Sequence, residues 1–187
     1  MQNNTISFYY ENENQKISKE DFYQFHENLG RFYLDLAKGE HINFQVADNV
    51  VKNGSLVISE EESDGQRIKH AYHITIDHEK NKINWFSSNS EVFIKIWNLI
   101  PIKLMEVATL LSFEINPNKI KTQLTITFSS EKDLKFALTK KVDKIWETHH
   151  QREMTNAFAI TKFLVNSNQI KNNPSLWNID SIRGSLK

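Results

Sequence analysis

The sequence contains no cysteine among its 187 residues, which excludes disulfides, a thiol nucleophile and every cysteine-based zinc or iron–sulfur site. It has only five glycines, and they form neither a Gly-x-Gly-x-x-Gly motif nor a phosphate-cradling Walker loop. The Gly-x-Ser-x-Gly elbow that presents a nucleophilic serine is absent as well. These absences argue against nucleotide-dependent and nucleophilic chemistry, and we predict no cofactor.

The chain also lacks a net charge, because 23 basic residues balance 23 acidic ones. A protein with zero net charge is not attracted as a whole to nucleic acid or to an anionic membrane. Residues 1–5 include neither the basic nor the apolar part of a signal peptide. The most apolar stretch, residues 92–115, contains lysine, glutamate and proline, which a membrane-spanning helix does not accept cheaply. We therefore predict a soluble cytoplasmic protein that does not bind membranes.

Bulky aromatic residues, in contrast, are well represented, with 12 Phe, five Tyr and four Trp. They supply the material for a hydrophobic core, and no linker, repeat or low-complexity segment divides the chain. We predict one α+β domain over residues 1–187, with a weakly ordered polar tail from about residue 166. Within that tail, Leu176, Trp177 and Ile179 are expected to pack against the body of the protein.

Apolar residues recur at every second position in several segments, which is the pattern of half-buried β-strands. The segments with this pattern are residues 5–10, 41–46, 56–60, 66–77, 82–86, 111–115 and 120–128. The dipeptides Asn53-Gly54 and Asp64-Gly65, and residues 116–119 with Pro117 at the second position, are typical of tight turns. The short spacing leaves no room for crossover helices, so we predict an antiparallel sheet made of a meander and a hairpin.

Apolar residues at three- and four-residue steps predict about four helices packed against this sheet. The clearest one follows Ser18, which caps it together with Asp21, and ends at Gly39. His26 lies on the apolar stripe of this helix, where a histidine is more often a core residue than a ligand.

Three further helices are predicted in the second half of the chain. The apolar residues after Ser90 begin with helical spacing until Pro101 breaks the helix or starts a new one. Another helix is expected from residue 131 to about residue 150, with Ser130 as its cap, and the last over residues 153–165.

The histidines and the acidic run are the first candidates for a functional site. His73-Ile74-Thr75 resembles one half of the His-x-Thr pair of two-histidine phosphoesterases, but the chain has no second copy. Glu147 and His150 have the Glu-x-x-His spacing of carboxylate-bridged metal sites, again without a second copy, and polar surface explains them better. Residues 60–62 are three glutamates beside a turn, which is typical of a solvated hairpin tip. We therefore predict no catalytic residue and no metal site.

The two halves of the chain differ in charge. Residues 1–94 hold nine basic and 15 acidic residues, a net charge of −6, whereas residues 95–187 hold 14 and eight, a net charge of +6. A basic helical face suits an acidic protein, a phosphate backbone or the acidic half of a second copy, although solubilising lysines are the simpler explanation. The predicted partner-binding residues are Lys132, Lys135, Lys140, Lys141, Lys144, His149, His150 and Arg152.

The sequence thus favours a non-enzymatic binding or regulatory protein that acts stoichiometrically on a larger protein or ribonucleoprotein partner. An inhibitor or immunity-type factor directed against a nucleic-acid enzyme would fit, and the Asn-, Lys- and Ile-rich composition is typical of bacterial or mobile-element genes. The first alternative is an RNA-interacting protein that uses the basic C-terminal helices. A metal-independent phosphodiesterase acting through His73 and Thr75 is the second.

Overall fold

The computed structural model describes residues 4–13, 17–96, 100–116 and 119–184, and these contain one seven-stranded antiparallel sheet. Its strands are β1 (Thr5–Glu13), β2 (His41–Gln45), β3 (Leu56–Ser63), β4 (Gln66–Asp77), β5 (Lys82–Ile96), β6 (Ile100–Asn116) and β7 (Lys119–Phe128). The order across the sheet is β1-β7-β6-β5-β4-β3-β2, so six strands follow one another as a meander and β1 pairs with β7 at the far edge. The predicted antiparallel α+β fold class is confirmed.

Five helices lie in the described part of the chain. They are α1 (Lys19–Glu27), α2 (Tyr33–Leu36), α3 (Glu131–Thr139), α4 (Val142–Asn166) and α5 (Ile179–Gly184). The 25-residue helix α4 contacts β1 at one edge of the sheet and β3 near the other, so the sheet curves around it. The core lies between the concave face of the sheet and α4, against which α1 and α2 also pack. None of the helices described combines the length and apolar character needed to cross a bilayer.

The first predicted helix forms with the expected cap. The Ser18 side chain accepts a hydrogen bond from the Asp21 amide, and the Asp21 carboxylate accepts one from the Ser18 amide. The apolar stripe faces the core as predicted, with Phe22, Phe25, His26, Leu29, Phe32, Tyr33 and Leu36 all buried.

This helix is nevertheless divided into α1 and α2, which the apolar pattern did not predict. A short 3-10 turn, Leu29–Arg31, separates the two pieces. A Cβ atom on Gly30 would lie 3.1 Å from the ring of Phe44 on β2. The close approach of Phe44 to the turn therefore depends on glycine.

The predicted helix after Ser90 is wrong, because this segment belongs to the paired strands β5 and β6. The β5–β6 register shifts between Ser87 and Ser90 and again between Val92 and Phe93. A bulge adds one residue to a strand and interrupts the alternation of inward and outward side chains, so the apolar residues imitate helical spacing. Pro101 is compatible with β6 because it is the second residue of that strand.

The predicted boundary between the last two helices is also wrong. The break lies at Lys141, whose φ of 56° is left-handed, and α4 then continues without interruption through residues 149 and 150. An isolated change in backbone conformation leaves no mark on the spacing of apolar residues, so the sequence did not reveal it. Near this break Leu138 is 46% exposed, while its neighbour Ala137 is fully buried.

The C-terminal segment contacts the body of the protein through part of the predicted set. Trp177 is buried and stacks on Phe32 with ring centroids 5.7 Å apart, whereas Leu176 is exposed, contrary to expectation. The side chain of Ile179 lies outside the described residues, as do Pro117 and Asn118 of the predicted turn between β6 and β7.

His26 is a core histidine, as predicted. The Trp85 indole N–H donates a 2.7 Å hydrogen bond to His26 Nε2, and the Phe113 ring packs edge-on against the imidazole. Burial lowers the pKa of His26 from 6.5 to about 3, so the imidazole is neutral at neutral pH.

We expect the free energy of unfolding to fall as the pH is lowered, because the unfolded chain protonates His26 before the folded protein does. Its contribution is complete above pH 6.5 and is lost as the pH falls toward the folded pKa of about 3. In the variant His26→Gln, the loss of stability between about pH 7 and about pH 5 should be smaller by about 2 kcal/mol. Urea denaturation at each pH measures this. Exposed His73, changed to Gln, is the control, and equal pH dependence in wild type and His26→Gln would contradict the assignment.

Candidate functional site

An internal cavity lies between the sheet and α4. The space open to the centres of water molecules is about 40 Å³. At about 10–15 Å³ for each water, this holds about three molecules. The walls are mostly aromatic and aliphatic, with Phe22, Phe25, Trp85, Leu111, Phe113, Trp146 and Met154 among them. Polar groups reach the same cavity from Glu61, His70, His149, His150 and Glu153, which we call the polar cluster.

Glu61 brings a carboxylate into the interior from β3, where its backbone pairs with His41 of β2. The Tyr33 hydroxyl donates to one of its oxygens, and Nε2 of His149 lies 3.2 Å from the other. Burial raises the pKa of this carboxyl, but the hydrogen bond from His149 and the positive charge of that imidazolium outweigh burial and hold the pKa below its usual range. Glu61 is therefore an ionised carboxylate in the core.

His149 of α4 lies between two carboxylates. Its Nδ1 is 2.6 Å from Glu40, the residue before β2, and its Nε2 faces Glu61. Because carboxylates only accept hydrogen bonds, both ring nitrogens donate and the ring is an imidazolium. Burial lowers the pKa of His149, but the hydrogen bonds and charges of the surrounding glutamates raise it to about 9. On the protein surface, Arg152 donates to the same Glu40 and extends the chain of charges outward.

His41 directs an unprotonated ring nitrogen toward His149. Its Nδ1 donates to the backbone carbonyl of Tyr33 at 2.5 Å, and its ring stacks on the Tyr33 ring. The other nitrogen, Nε2, is 3.3 Å from Nε2 of His149. Within the part of the chain that the structure describes, His41, Glu61 and His149 each place one donor atom within 4.8 Å of the other two. These three residues form the set that could hold a metal ion.

The other two histidines of the polar cluster are neutral. His70 Nδ1 is 2.8 Å from the Ser90 hydroxyl, and burial lowers the pKa of His70 to about 4. His150 Nε2 is 3.2 Å from the Thr122 hydroxyl, and burial together with the charge of His149 lowers the pKa of His150 to about 4. Their neutrality leaves the cluster with few charged groups.

Glu153 lies one helical turn after His149 and lines the cavity. It is 8% exposed, and no group of the described residues forms a hydrogen bond with its carboxyl. Burial and the negative charge of Glu61 raise the pKa of Glu153 to about 8. At neutral pH the group is therefore mainly a carboxylic acid, able both to donate and to accept a hydrogen bond in the cavity.

The predicted partner-binding residues are divided between the surface and the interior. The exposed ones are Lys132, Lys135, Lys140, Lys141, Lys144 and Arg152. His149 and His150 are only 2% exposed each, so their assignment to a surface face is wrong. The physical reason is that α4 does not end near them, and both side chains lie on its buried side.

Four of the exposed cations line one surface groove, which we call the basic groove. They are Lys140, Lys141, Lys144 and Arg152, and the groove also includes Glu40, Asp64 and Thr148. Glu40 belongs to both regions, since it accepts from Arg152 at the surface and from His149 inside. Lys132 and Lys135 lie outside this groove, and Lys135 pairs with Glu131 at 2.6 Å.

The glutamate run at residues 60–62 and the His73 motif were two other candidates from the sequence. The glutamate run at residues 60–62 is not a solvated hairpin tip, because β3 continues to Ser63 and the turn itself is only Asp64-Gly65. Glu60 is paired with Arg67 of β4, and Glu62 is paired with Lys95 of β5. His73 is exposed on the face of β4 opposite to His70, and it takes no part in the polar cluster.

Sequence reasoning missed Glu61, His41, Tyr33, Glu40 and Glu153. One usable signal existed for Glu61, because Val57, Ser59 and Glu61 occupy alternate positions of β3 and all three are buried. The other members come from segments far apart in the chain, and only the β2–β3 register and the placement of α4 bring them together.

The fold has counterparts among solved structures. No protein-family model matches the chain, and no curated protein matches its sequence. A point mutant of norcoclaurine synthase from Thalictrum flavum, in complex with a transition-state analogue, is 13% identical with a TM-score of 0.59, over 90% of this chain and 99% of that one. The protein TTHA0849 from Thermus thermophilus is 14% identical with a TM-score of 0.56, over 81% of this chain and 94% of that one. At these identities the likeness concerns the fold alone, and the chain has the Bet v1-like α+β fold.

Proposed function

We propose that the protein binds a small, mainly apolar organic molecule in its internal cavity and does not transform it. The observation that carries this proposal is Glu153, a buried carboxyl that faces an apolar cavity without a partner among the described residues. A buried polar group without a hydrogen bond costs about 1–3 kcal/mol, and a ligand that supplies the bond removes that cost. The norcoclaurine synthase structure supports the proposal, since that protein has a similar fold and is in complex with a transition-state analogue.

The cavity lining indicates the chemistry of this ligand. Aromatic walls such as Phe22, Trp85 and Phe113 suit a flat apolar body, and Glu153 suits one hydroxyl or amine group on it. The present cavity holds about three water molecules, so a larger ligand requires α4 and the sheet to move apart. Binding without turnover is supported by His149, whose two ring nitrogens are both occupied by carboxylates.

Two probes of the same size test this proposal, 2-naphthol with a hydroxyl and naphthalene without one. We expect both to change the fluorescence of the cavity residues Trp85 and Trp146, with 2-naphthol binding more tightly. The variant Glu153→Leu should weaken 2-naphthol binding about 10-fold, equivalent to one hydrogen bond, and leave naphthalene binding unchanged or stronger. Fluorescence titration and calorimetry give both affinities.

The matched control is Glu147→Leu, which removes an exposed glutamate from the same helix. The proposal fails if neither probe saturates a site, or if Glu147→Leu and Glu153→Leu weaken 2-naphthol binding equally.

The basic groove supports a second candidate function. We propose that Lys140, Lys141, Lys144 and Arg152 bind an acidic partner protein in a stoichiometric complex. The identity of that partner is still a prediction. The partner could be a nucleic-acid enzyme that the protein inhibits or neutralises as an immunity factor, or the acidic half of a second copy of the chain. RNA in place of an acidic protein is the alternative outcome.

A charge reversal inside the groove tests this second function. We expect Lys140→Glu combined with Lys144→Glu to weaken the binding of a labelled poly-glutamate peptide about 10-fold, because each reversal replaces an attraction by a repulsion. The same reversal at Lys132 and Lys135, outside the groove, should have little effect. Fluorescence anisotropy at low and physiological salt measures both.

A labelled RNA of similar length is titrated in parallel. Binding of RNA but not of the peptide would favour the RNA alternative. If neither polymer binds even at low salt, or if both double variants behave alike, the groove has no such function.

A further inference from the structure

We propose that His41, Glu61 and His149 form a binding site for a divalent transition-metal ion, with zinc as the best match. The donor atoms come from β2, β3 and α4, and all three residues are buried. The Nε2 atoms of the two histidines are 3.3 Å apart, and Nε2 of His149 is 3.2 Å from the Glu61 carboxylate. Tetrahedral zinc with ligands at about 2.0–2.1 Å separates its donor atoms by about 3.3 Å, so these two spacings match. The third pair of donor atoms, on His41 and Glu61, lies within 4.8 Å.

The groups behind the three ligands are those that zinc sites use. A histidine that binds zinc usually donates its second ring nitrogen to a carbonyl or a carboxylate, which fixes the tautomer and the ring orientation. His41 donates Nδ1 to the Tyr33 carbonyl at 2.5 Å, and His149 donates Nδ1 to Glu40 at 2.6 Å. The Tyr33 hydroxyl holds the second oxygen of Glu61. Each ligand is thus oriented toward one common point by a partner of its own.

The charge at this point also suits a dication. Glu61 places one negative charge at this point directly, and Glu40, which also accepts from Arg152, acts on it through His149. An ion pair with Glu61 would need only one histidine, whereas the structure directs Nε2 of His41 at the same His149 nitrogen. This second imidazole nitrogen lies within 4.8 Å of the Glu61 donor atom. A metal ion would take one lone pair from each of the three residues, and the proton on His149 Nε2 would be released to solvent as the ion binds.

The donor set restricts the kind of ion. Two imidazoles and one carboxylate, without a thiolate, suit zinc and similar borderline divalent ions rather than magnesium or calcium, which prefer oxygen ligands. Three protein ligands leave one tetrahedral position. Glu61 and His149 line the cavity, so this position is available to water or to a donor atom of a cavity ligand. The site does not depend on the proposed function, because the ion binds without an organic ligand.

Zinc alone, added to the full chain after treatment with a chelator, tests the site. We expect one ion per chain by competition calorimetry, and with cobalt in its place an absorption spectrum typical of tetrahedral coordination. The variants His41→Ala and Glu61→Gln each remove a ligand and should weaken zinc binding by about 100-fold or more. Glu40→Gln removes only the partner of His149 and should weaken it about 10-fold.

His73→Ala is the control, because it removes an exposed histidine and should leave the affinity unchanged. Circular dichroism establishes that each variant is folded. Should the ligand variants not fold, zinc X-ray absorption of the wild type decides, with two imidazole nitrogens and one carboxylate oxygen at about 2.0–2.1 Å as the supporting result. A wild type that binds no stoichiometric zinc, an affinity unchanged in His41→Ala, or an absorption spectrum without two imidazoles overturns the proposal.

Discussion

His149 lies between two carboxylates, Glu61 on β3 and Glu40 before β2, and this contact holds the N-terminal half of α4 against the sheet. A charged group in a protein interior costs several kcal/mol unless it is paired with good geometry. The imidazolium and its two partners come from separate elements, so the pairing is complete only when β2, β3 and α4 are all in their final positions. The contact therefore favours this arrangement over others that an apolar core alone would allow.

The cavity and the polar cluster depend on this same contact. With His149 held toward the sheet, the next turn of α4 directs Glu153 into the cavity, where apolar side chains surround it. Glu61 and His149 belong to the cavity wall and also to the set of three donor atoms that includes His41. An ion in that set and a molecule in the cavity would thus be neighbours, and each would change the affinity for the other.

The sheet was the part of the fold most accessible to sequence reasoning. The strands bounded by Asp64-Gly65 and the capped helix after Ser18 follow from local rules, because turn geometry and capping involve only neighbouring residues. The helix predicted after Ser90 failed because bulges in β5 and β6 disturb the alternation that identifies a strand. The break at Lys141 was missed because one left-handed residue has no counterpart in the apolar pattern.

Most of the candidate site could not be predicted from the sequence, for a related reason. Glu61 resembles its two acidic neighbours until the strand direction shows that it points inward. His149 was predicted to lie on the surface near a helix end, whereas α4 continues past it and its side chain is buried. The convergence of His41 with these two residues depends on the β2–β3 register and on a contact between residues 108 positions apart, which local patterns do not encode.

Zinc binding by His41, Glu61 and His149 is tested most directly by anomalous diffraction at the zinc absorption edge, from crystals of the protein grown with zinc. We expect a single strong peak in the interior, next to the cavity. It should lie about 2.0–2.1 Å from His41 Nε2, His149 Nε2 and the Glu61 carboxylate. Crystals grown with zinc whose interior shows no such peak would contradict the zinc assignment.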